Sequence, residues 1–457
     1  MRPHPTFLAL GTAAALLLPA RAPAAPSYAF VACTDFGSGC ASWVETAPPR
    51  TGHGCVETIS SDPVCRWAFG KVFVVNRFGF DNVQVLDPGN AFLTEMQYSI
   101  GNGTNPQDIA VVSPTKAYVS RLASPDLLIV HPMTGAELGT ISLAAFADGD
   151  GSPEPFKMFV YGDRLFVTLQ RLDNFVPVSP AYVVAIDLAT DTVLDADPIA
   201  VGTQAIALTG TNPNTDFALD RNSGLLLVGE TGAFGVQDGG VEAIDPIALT
   251  ALGFEATEAQ LGGDLNDLAL APNGRAYVVV NDDAFNTLLL EYDRETGAVA
   301  DTVYAPGGFS LGDVEVSTAG ELWVCDRTFA DPGVRVFETA TNTSLAGPIS
   351  TGQPPFDIAF DEFQSVAVSP PPSPGLRVLF AGPNPVRDRF EVRFAAGDEP
   401  AQAATLRVYD VRGTEVGRTT AAGSAVRWNA AGTPPGAYFF RLVRGGESVT
   451  GRFVRLR

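Results

Sequence analysis

The chain has 457 residues, a formal charge of −22, 46% hydrophobic residues and 18% charged ones, which is enough apolar material for sizeable cores and excludes a disordered chain. Gly and Pro together supply 81 residues, spread between Val-rich runs, a composition that excludes a helical bundle and predicts many short strands joined by tight turns. The charge is divided unevenly: residues 27–374 carry 44 acidic against 14 basic side chains, while residues 375–457 carry 7 against 13 arginines, so the larger part repels nucleic acid and anionic lipid.

Met1-Arg2, the apolar run Phe7–Leu18, Pro19 and the small-residue stretch Ala20–Ala24 predict a secretory signal peptide over 1–24, and hence export. No Cys stands at the cleavage point to carry a lipid, and no later apolar run is long enough to span a bilayer. Cys33, Cys40, Cys55 and Cys65 follow closely, and in an oxidising compartment four neighbouring cysteines predict two disulfides whose connectivity stays open. Their spacing lacks the C-x-x-C pair of a zinc site. Cys325, in an apolar strand, is expected to be a buried thiol.

A repeat organises the next 300 residues. Strands that open near Arg66, Asp108, Lys157, Asp216, Asp267, Asp313 and Asp357 are separated by 42, 49, 59, 51, 46 and 44 residues, the period of four-stranded propeller blades. Second strands such as Ala117–Ser120 and Ala276–Val279 and third strands such as Val183–Asp187 follow within each unit as near-continuous apolar runs. The last first strand, Asp357–Phe360, has no successors of its own, and Tyr28–Cys33, Cys40–Val44 and Cys55–Ile59 are expected to complete its sheet. The fold class is therefore all-β, a seven-bladed β-propeller over 27–368. The P-x-D-I-A, x-A-Y-V and L-L-I-V-x-P-x-T-G elements at Pro106–Val112, Lys116–Ser120 and Leu127–Gly135 resemble those of the YVTN-type, YncE-like seven-bladed propellers of secreted bacterial proteins. That resemblance implies a fold and leaves activity open.

Residues 369–375 form a stiff Pro-rich linker. Beyond it, about seven short apolar runs over 376–457 predict a small Ig-like β-sandwich. The P-N-P opening at Pro383–Pro385, the L-x-V-Y-D run at Leu406–Asp410, the G-x-Y-F-x-R-L run at Gly436–Leu442 and the basic final strand resemble the FlgD-type Ig-like and type A C-terminal sorting domains of type IX secretion. The resemblance implies an address read by an export machinery, and a secreted or cell-surface location.

Three sets of residues are candidates for chemistry. Asp108, Asp216, Asp267, Asp313 and Asp357 recur at the start of first strands, which line the centre of a propeller, and converging carboxylates are relieved by a hard cation, Ca²⁺ or Mg²⁺, with Asn266 as a further oxygen ligand. The position of Asn266 and Asp267 resembles metal sites of gluconolactonase-like propellers. Equally, each Asp can cap its own turn or pair with Arg66 or Lys157. Phe36, Phe78, Phe80, Phe175, Phe234, Phe285 and Phe329 fall in the loops after second strands, as an apolar ring for a ligand or as packing between loops. Asp148, Asp150 and Glu154 alternate as in part of a calcium loop, or as a solvated turn.

Only His53 and His131 follow the signal segment, too few for haem or copper ligation or a His general base, and no G-x-S-x-G elbow or phosphate-binding Gly loop is present for hydrolysis or nucleotides. The expected function is an exported, non-catalytic propeller that binds a protein, glycan or small molecule through its loop face. The competing expectation is a divalent-metal hydrolase of the lactonase type.

Overall fold

Runs such as Val72–Val75 form strands because β-branched side chains pack well on a pleated surface, and the Gly, Asn and Asp between runs turn the chain. The computed structural model describes residues 27–361, 376–382, 385–395, 403–445 and 447–456. The signal peptide expected at 1–24 and the linker expected at 369–375 lie outside the described residues.

Residues 28–360 form seven antiparallel sheets of four strands, one with a further short strand at Ile206–Ala207, and a separate two-stranded ribbon, Leu172–Asp173 with Val176–Pro177. The first strands are Pro63–Ala68, Pro106–Ser113, Pro155–Tyr161, Ala218–Leu219, Asp264–Leu270, Leu311–Val316 and Pro355–Phe360. Six sheets run consecutively. The seventh joins both ends of the region, with Pro355–Phe360 beside Tyr28–Thr34, then Gly39–Glu45 and Gly52–Ile59, in a register that sets Ala29 opposite Phe360 and Val31 opposite Ile358.

First strands lie beside one another from sheet to sheet, Pro106–Ser113 next to Pro155–Tyr161, Leu311–Val316 next to Pro355–Phe360, and Pro355–Phe360 next to Pro63–Ala68. Buried side chains of facing sheets fill the gaps, Val75 and Val83 against Ile109 and Val119, and Trp323 and Val336 against Val31 and Ile358. Each fully buried Val, Leu or Ile contributes about 1.5–3 kcal/mol. The result is a propeller-like array.

Two expectations need correction. The strand expected to open at Asp216 is reduced to Ala218–Leu219, because the Thr215 hydroxyl takes the Gly229 N–H at 2.8 Å that a regular first strand would receive. One disulfide is present where two were expected: Cys40 is bonded to Cys55. Cys33 and Cys65 are free and buried in different apolar clusters, Cys33 with Trp323 and Val334 and Cys65 with Trp67 and Phe92. Cys325 is the free, buried thiol expected.

The tail forms two sheets. Arg377–Gly382, Arg389–Ala395 and Ala425–Asn429 make one, and Glu415–Ala421, Ala404–Asp410, Gly436–Arg444 and Glu447–Arg455 the other. Phe390, Phe440 and Phe453 pack in a core of their own, with the Phe390 and Phe453 rings stacked at 4.0 Å. Among the described residues no helix is long and apolar enough to cross a membrane.

Candidate functional site

In each sheet the first and second strands run in opposite directions, so the loops joining second to third strands share one end with the connections between sheets, and the first-to-second hairpins lie at the other. The recurrent aspartates lie towards the loop end.

Four of them stitch one sheet to the next. Asp108 Oδ2 accepts the Met158 N–H at 2.9 Å, Asp267 Oδ2 that of Val314 at 2.7 Å, Asp313 Oδ2 that of Ile358 at 2.7 Å and Asp357 Oδ2 that of Cys65 at 2.5 Å. Asp108 and Asp267 each accept, in addition, the N–H of the following residue. First strands of neighbouring sheets do not form ladders, so their inner N–H groups need acceptors, and a carboxyl oxygen reaching from the previous sheet supplies one.

This pattern corrects the alignment of Arg66. The N–H that donates to each carboxyl group follows the recurrent position by one residue, at Met158, Val314 and Ile358, so Cys65 makes Val64 the equivalent of the aspartates. Arg66 stands two residues further on. Its Nε donates to Asp108 Oδ1 at 2.7 Å and its Nη2 to Asp216 Oδ1 at 2.8 Å, while Lys157 Nζ meets the same Asp216 oxygen at 2.8 Å. Asp216 thus binds two cations, Asp108 binds Arg66 together with backbone N–H groups, and Asp267, Asp313 and Asp357 bind backbone N–H groups.

Electrostatics separates the carboxylates further. Burial opposes ionisation of Asp216, but Arg66 and Lys157 outweigh it and hold the group down to about 2. Burial, then Asp216, pushes Asp267 up to about 7. Burial and the neighbouring Asp357 and Asp267 raise Asp313 well above the ordinary range. Of the proposed ligand set, Asp216, Asp313 and Asp357 each bring one oxygen within 4.8 Å of the others. Asp108 and Asp267 have both oxygens engaged, and Asn266 is the extra residue at a bulge between Leu265 and Asp267.

The phenylalanines of the loop end face water. Phe175 is 83% exposed, Phe78 76% and Phe80, the least, 54%, with Phe36, Phe234, Phe285 and Phe329 also exposed. Phe36, Phe78, Phe175 and Phe285 have φ of 65°, 22°, 65° and 61°, a left-handed backbone that bulky residues rarely adopt. Phe309, in a connection between sheets at the same end, stands between Phe234 at 6.2 Å and Phe285 at 5.6 Å. The Arg327 guanidinium lies 4.5 Å from the centre of Phe36.

Asp148, Asp150 and Glu154 form a tight polar turn, Asp150 N–H on Asp148 Oδ1 at 3.3 Å and Ser152 N–H on Asp150 Oδ1 at 2.9 Å, with Glu154 buried and accepting the Leu172 N–H at 2.9 Å. Among the described residues, the one group of three carboxylates within 4.8 Å is Asp216, Asp313 and Asp357, so the calcium-loop residues do not converge in that way.

Two acidic features escaped the sequence reading. Glu315 lies two residues beyond Asp313 and therefore on the same side of its strand, a period-2 signal that was available. Burial, then Asp216 and Asp267, raises its carboxyl well above the ordinary range. Glu230, Glu242 and Glu258 are fully buried in and beside the sheet that begins at Ala218. Burial first, and then Glu242, pushes Glu230 up to about 11.

Comparison with known proteins separates tail from body. Residues 382–455 match the Por_Secre_tail family, described as a secretion system C-terminal sorting domain. No curated protein matches the chain. Among solved structures, a Lactobacillus plantarum protein is similar at 11% identity, TM-score 0.52, over 73% of this chain and 99% of its own. A quinoprotein alcohol dehydrogenase-like protein of Bacteroides thetaiotaomicron is similar at 10% identity, TM-score 0.50, over 74% of this chain and 78% of its own. PorZ, a surface component of the type IX secretion system of Porphyromonas gingivalis, aligns at 14% identity and TM-score 0.42 over 91% of this chain, which spans 63% of PorZ. Likeness at such identities concerns the propeller-like fold alone. The sorting tail marks the protein as secreted or displayed at the cell surface, delivered by the type IX machinery that reads such tails.

Proposed function

We propose that the protein is a binding module delivered to the cell surface, whose phenylalanine rim grips a protein partner bearing basic and apolar side chains. In this reading residues 27–368 close into a seven-bladed propeller of the YVTN type, with the sheet shared by both ends as the seventh blade. A signal peptide at 1–24, a linker at 369–375 and an FlgD-like Ig sandwich at 376–457 complete the chain.

The observation that carries the proposal is the rim itself: seven phenylalanines exposed at one end, four of them in a left-handed backbone that costs about 1–2 kcal/mol per residue. Phe78 and Phe175 form no aromatic pair among the described residues, so for them the fold gains no ring contact in return. Backbone strain of this kind collects where a surface is held ready for a ligand. The same loops carry Asp35, Asp173, Asp238, Asp282, Asp283 and Asp331 against Arg77, Arg171 and Arg327, an acidic excess around the apolar ring that favours a basic partner.

A photo-crosslinking residue placed at Phe175 or Phe329 in cells that display the protein is expected to trap one discrete partner. The same residue at Phe69, exposed at the hairpin end, is expected to trap none. Equal capture from both ends would sink the proposal.

A second reading, the divalent-metal hydrolase, is favoured by the approach of Asp216, Asp313 and Asp357. It requires stoichiometric Ca²⁺ or Mg²⁺ that is lost in Asp313→Asn together with turnover of a lactone. Metal analysis of the two purified proteins, with a lactone screen in parallel, distinguishes it from the binding reading, which expects neither change.

A further inference from the structure

A cavity of about 160 Å³ lies at the centre of the array, towards the hairpin end and away from the phenylalanine rim. Its origin is a register effect. Two residues beyond the recurrent aspartates, on the same side of each strand, stand Ala110, Ala218 and Ala269, whose short side chains leave open the space that larger ones would fill. Phe159 and Val160 line another wall, and five charged residues, Arg66, Asp216, Asp220, Arg221 and Glu315, stand around the space, Asp220 being paired with Arg294.

These charged groups are not equivalent. Arg66 and Asp216 satisfy each other and their neighbours. Glu315 makes no hydrogen bond or ion pair among the described residues, although it faces the same cavity. The centre as a whole holds six carboxyl groups, Asp108, Asp216, Asp267, Asp313, Glu315 and Asp357, against Arg66 and Lys157, so its field favours a cation.

We propose that this cavity binds a small primary ammonium compound with one ring-sized apolar body, its ammonium donating to Glu315 and its ring lying among Ala110, Ala218, Ala269 and Phe159. The size is suitable, since a closed apolar cavity of about 150 Å³ admits a benzene molecule. The recognition sets an apolar wall beside an acidic group, a pairing that orients a small ligand in its site. It does not depend on the rim at the other end.

Benzylammonium is the probe, titrated calorimetrically into the mature full-length protein, with benzyl alcohol as the neutral isostere. Saturable one-to-one binding is expected, weaker by at least about tenfold for benzyl alcohol and for Glu315→Gln. Glu315→Gln keeps the shape of the side chain and breaks no contact, so its folding is not at risk. Ala269→Leu, which fills the space, is expected to abolish binding of both compounds, and a triple rim variant, Phe78→Ser with Phe175→Ser and Phe329→Ser, to leave it unchanged. Absence of saturable binding, equal affinity for the two compounds, or unchanged affinity in Glu315→Gln would overturn the proposal, whatever becomes of the rim.

Discussion

The centre of the array has two layers that differ by two residues along each first strand, and they treat acidic side chains in opposite ways. In the layer of Asp108, Asp267, Asp313 and Asp357, every carboxylate receives a backbone N–H from the next sheet. In the layer of Arg66, Ala110, Phe159, Ala218, Ala269 and Glu315, the one carboxyl group has no such partner and the neighbouring side chains leave a cavity. Residue type and burial are alike for Asp313 and Glu315; what separates a structural acid from a candidate ligand contact is whether a donor stands opposite it. A recurrent acidic position is therefore weak evidence of chemistry until its donors are counted.

Substitutions across the two layers should break the comparison if it is wrong. The largest effect is expected from Asp108→Ala, which takes from the buried Arg66 guanidinium one of its two carboxylate partners and removes the acceptor of Met158 N–H; loss of one member of a buried ion pair costs about 3–5 kcal/mol. Chemical denaturation should show a lower midpoint with little change in slope. Asp313→Ala, which leaves Ile358 N–H without an acceptor, is expected to cost about 1–3 kcal/mol. Glu315→Gln should cost nothing measurable. If Asp313→Ala and Glu315→Gln move the midpoint equally, the distinction between layers fails.

The pH dependence sharpens the same point. Asp267 is pushed up to about 7, and Glu154 and Glu258, chiefly by burial, to about 7 as well. A carboxyl raised in the folded state contributes stability that is complete below its unfolded value near 4 and is lost as pH rises through its folded value. Asp216 works in the other direction: held down to about 2, it contributes stability above pH 4 that disappears only below about 2. Between pH 5 and 8 the raised groups dominate, so the melting temperature is expected to fall as pH increases across that window. A flat or rising profile from differential scanning calorimetry would contradict the buried, protonated assignment.

How much of this was legible in the sequence follows from which forces act locally. The four-stranded antiparallel units and the pairing of Tyr28–Thr34 with Pro355–Phe360 could be read, because apolar periodicity and an unfinished last repeat are visible in one dimension. The exposure of all seven loop phenylalanines was legible as one of two alternatives, by position in the loops. The true register of Arg66 was not, since it is defined by a hydrogen bond between Asp357 and Cys65, nearly the whole repeat region apart. The pairing of Cys40 with Cys55 was equally hidden: Cys33 lies directly opposite Cys40 across the ladder, yet Cys33 remains free. Glu230 within Leu226–Glu230 and Glu242 within Gly240–Asp245 look like polar interruptions of apolar strands, and only the packed sheet shows them buried.

The smallest effect expected concerns the other end of the molecule and separates stability from function there. Phe175 has φ near 65° with its ring in water, so Phe175→Gly removes a steric penalty and loses little burial, while glycine adds freedom to the unfolded chain. The penalty is about 1–2 kcal/mol and the entropic loss about 0.5–1 kcal/mol, which leaves stability unchanged or raised by at most about 1.5 kcal/mol. Phe36→Gly should gain less, because its ring also covers Arg327 at 4.5 Å. If Phe175→Gly instead destabilises the protein by more than about 1 kcal/mol, the ring supports the loop. If it is neutral or stabilising and partner capture falls, the strained backbone is kept for what the ring touches outside the fold.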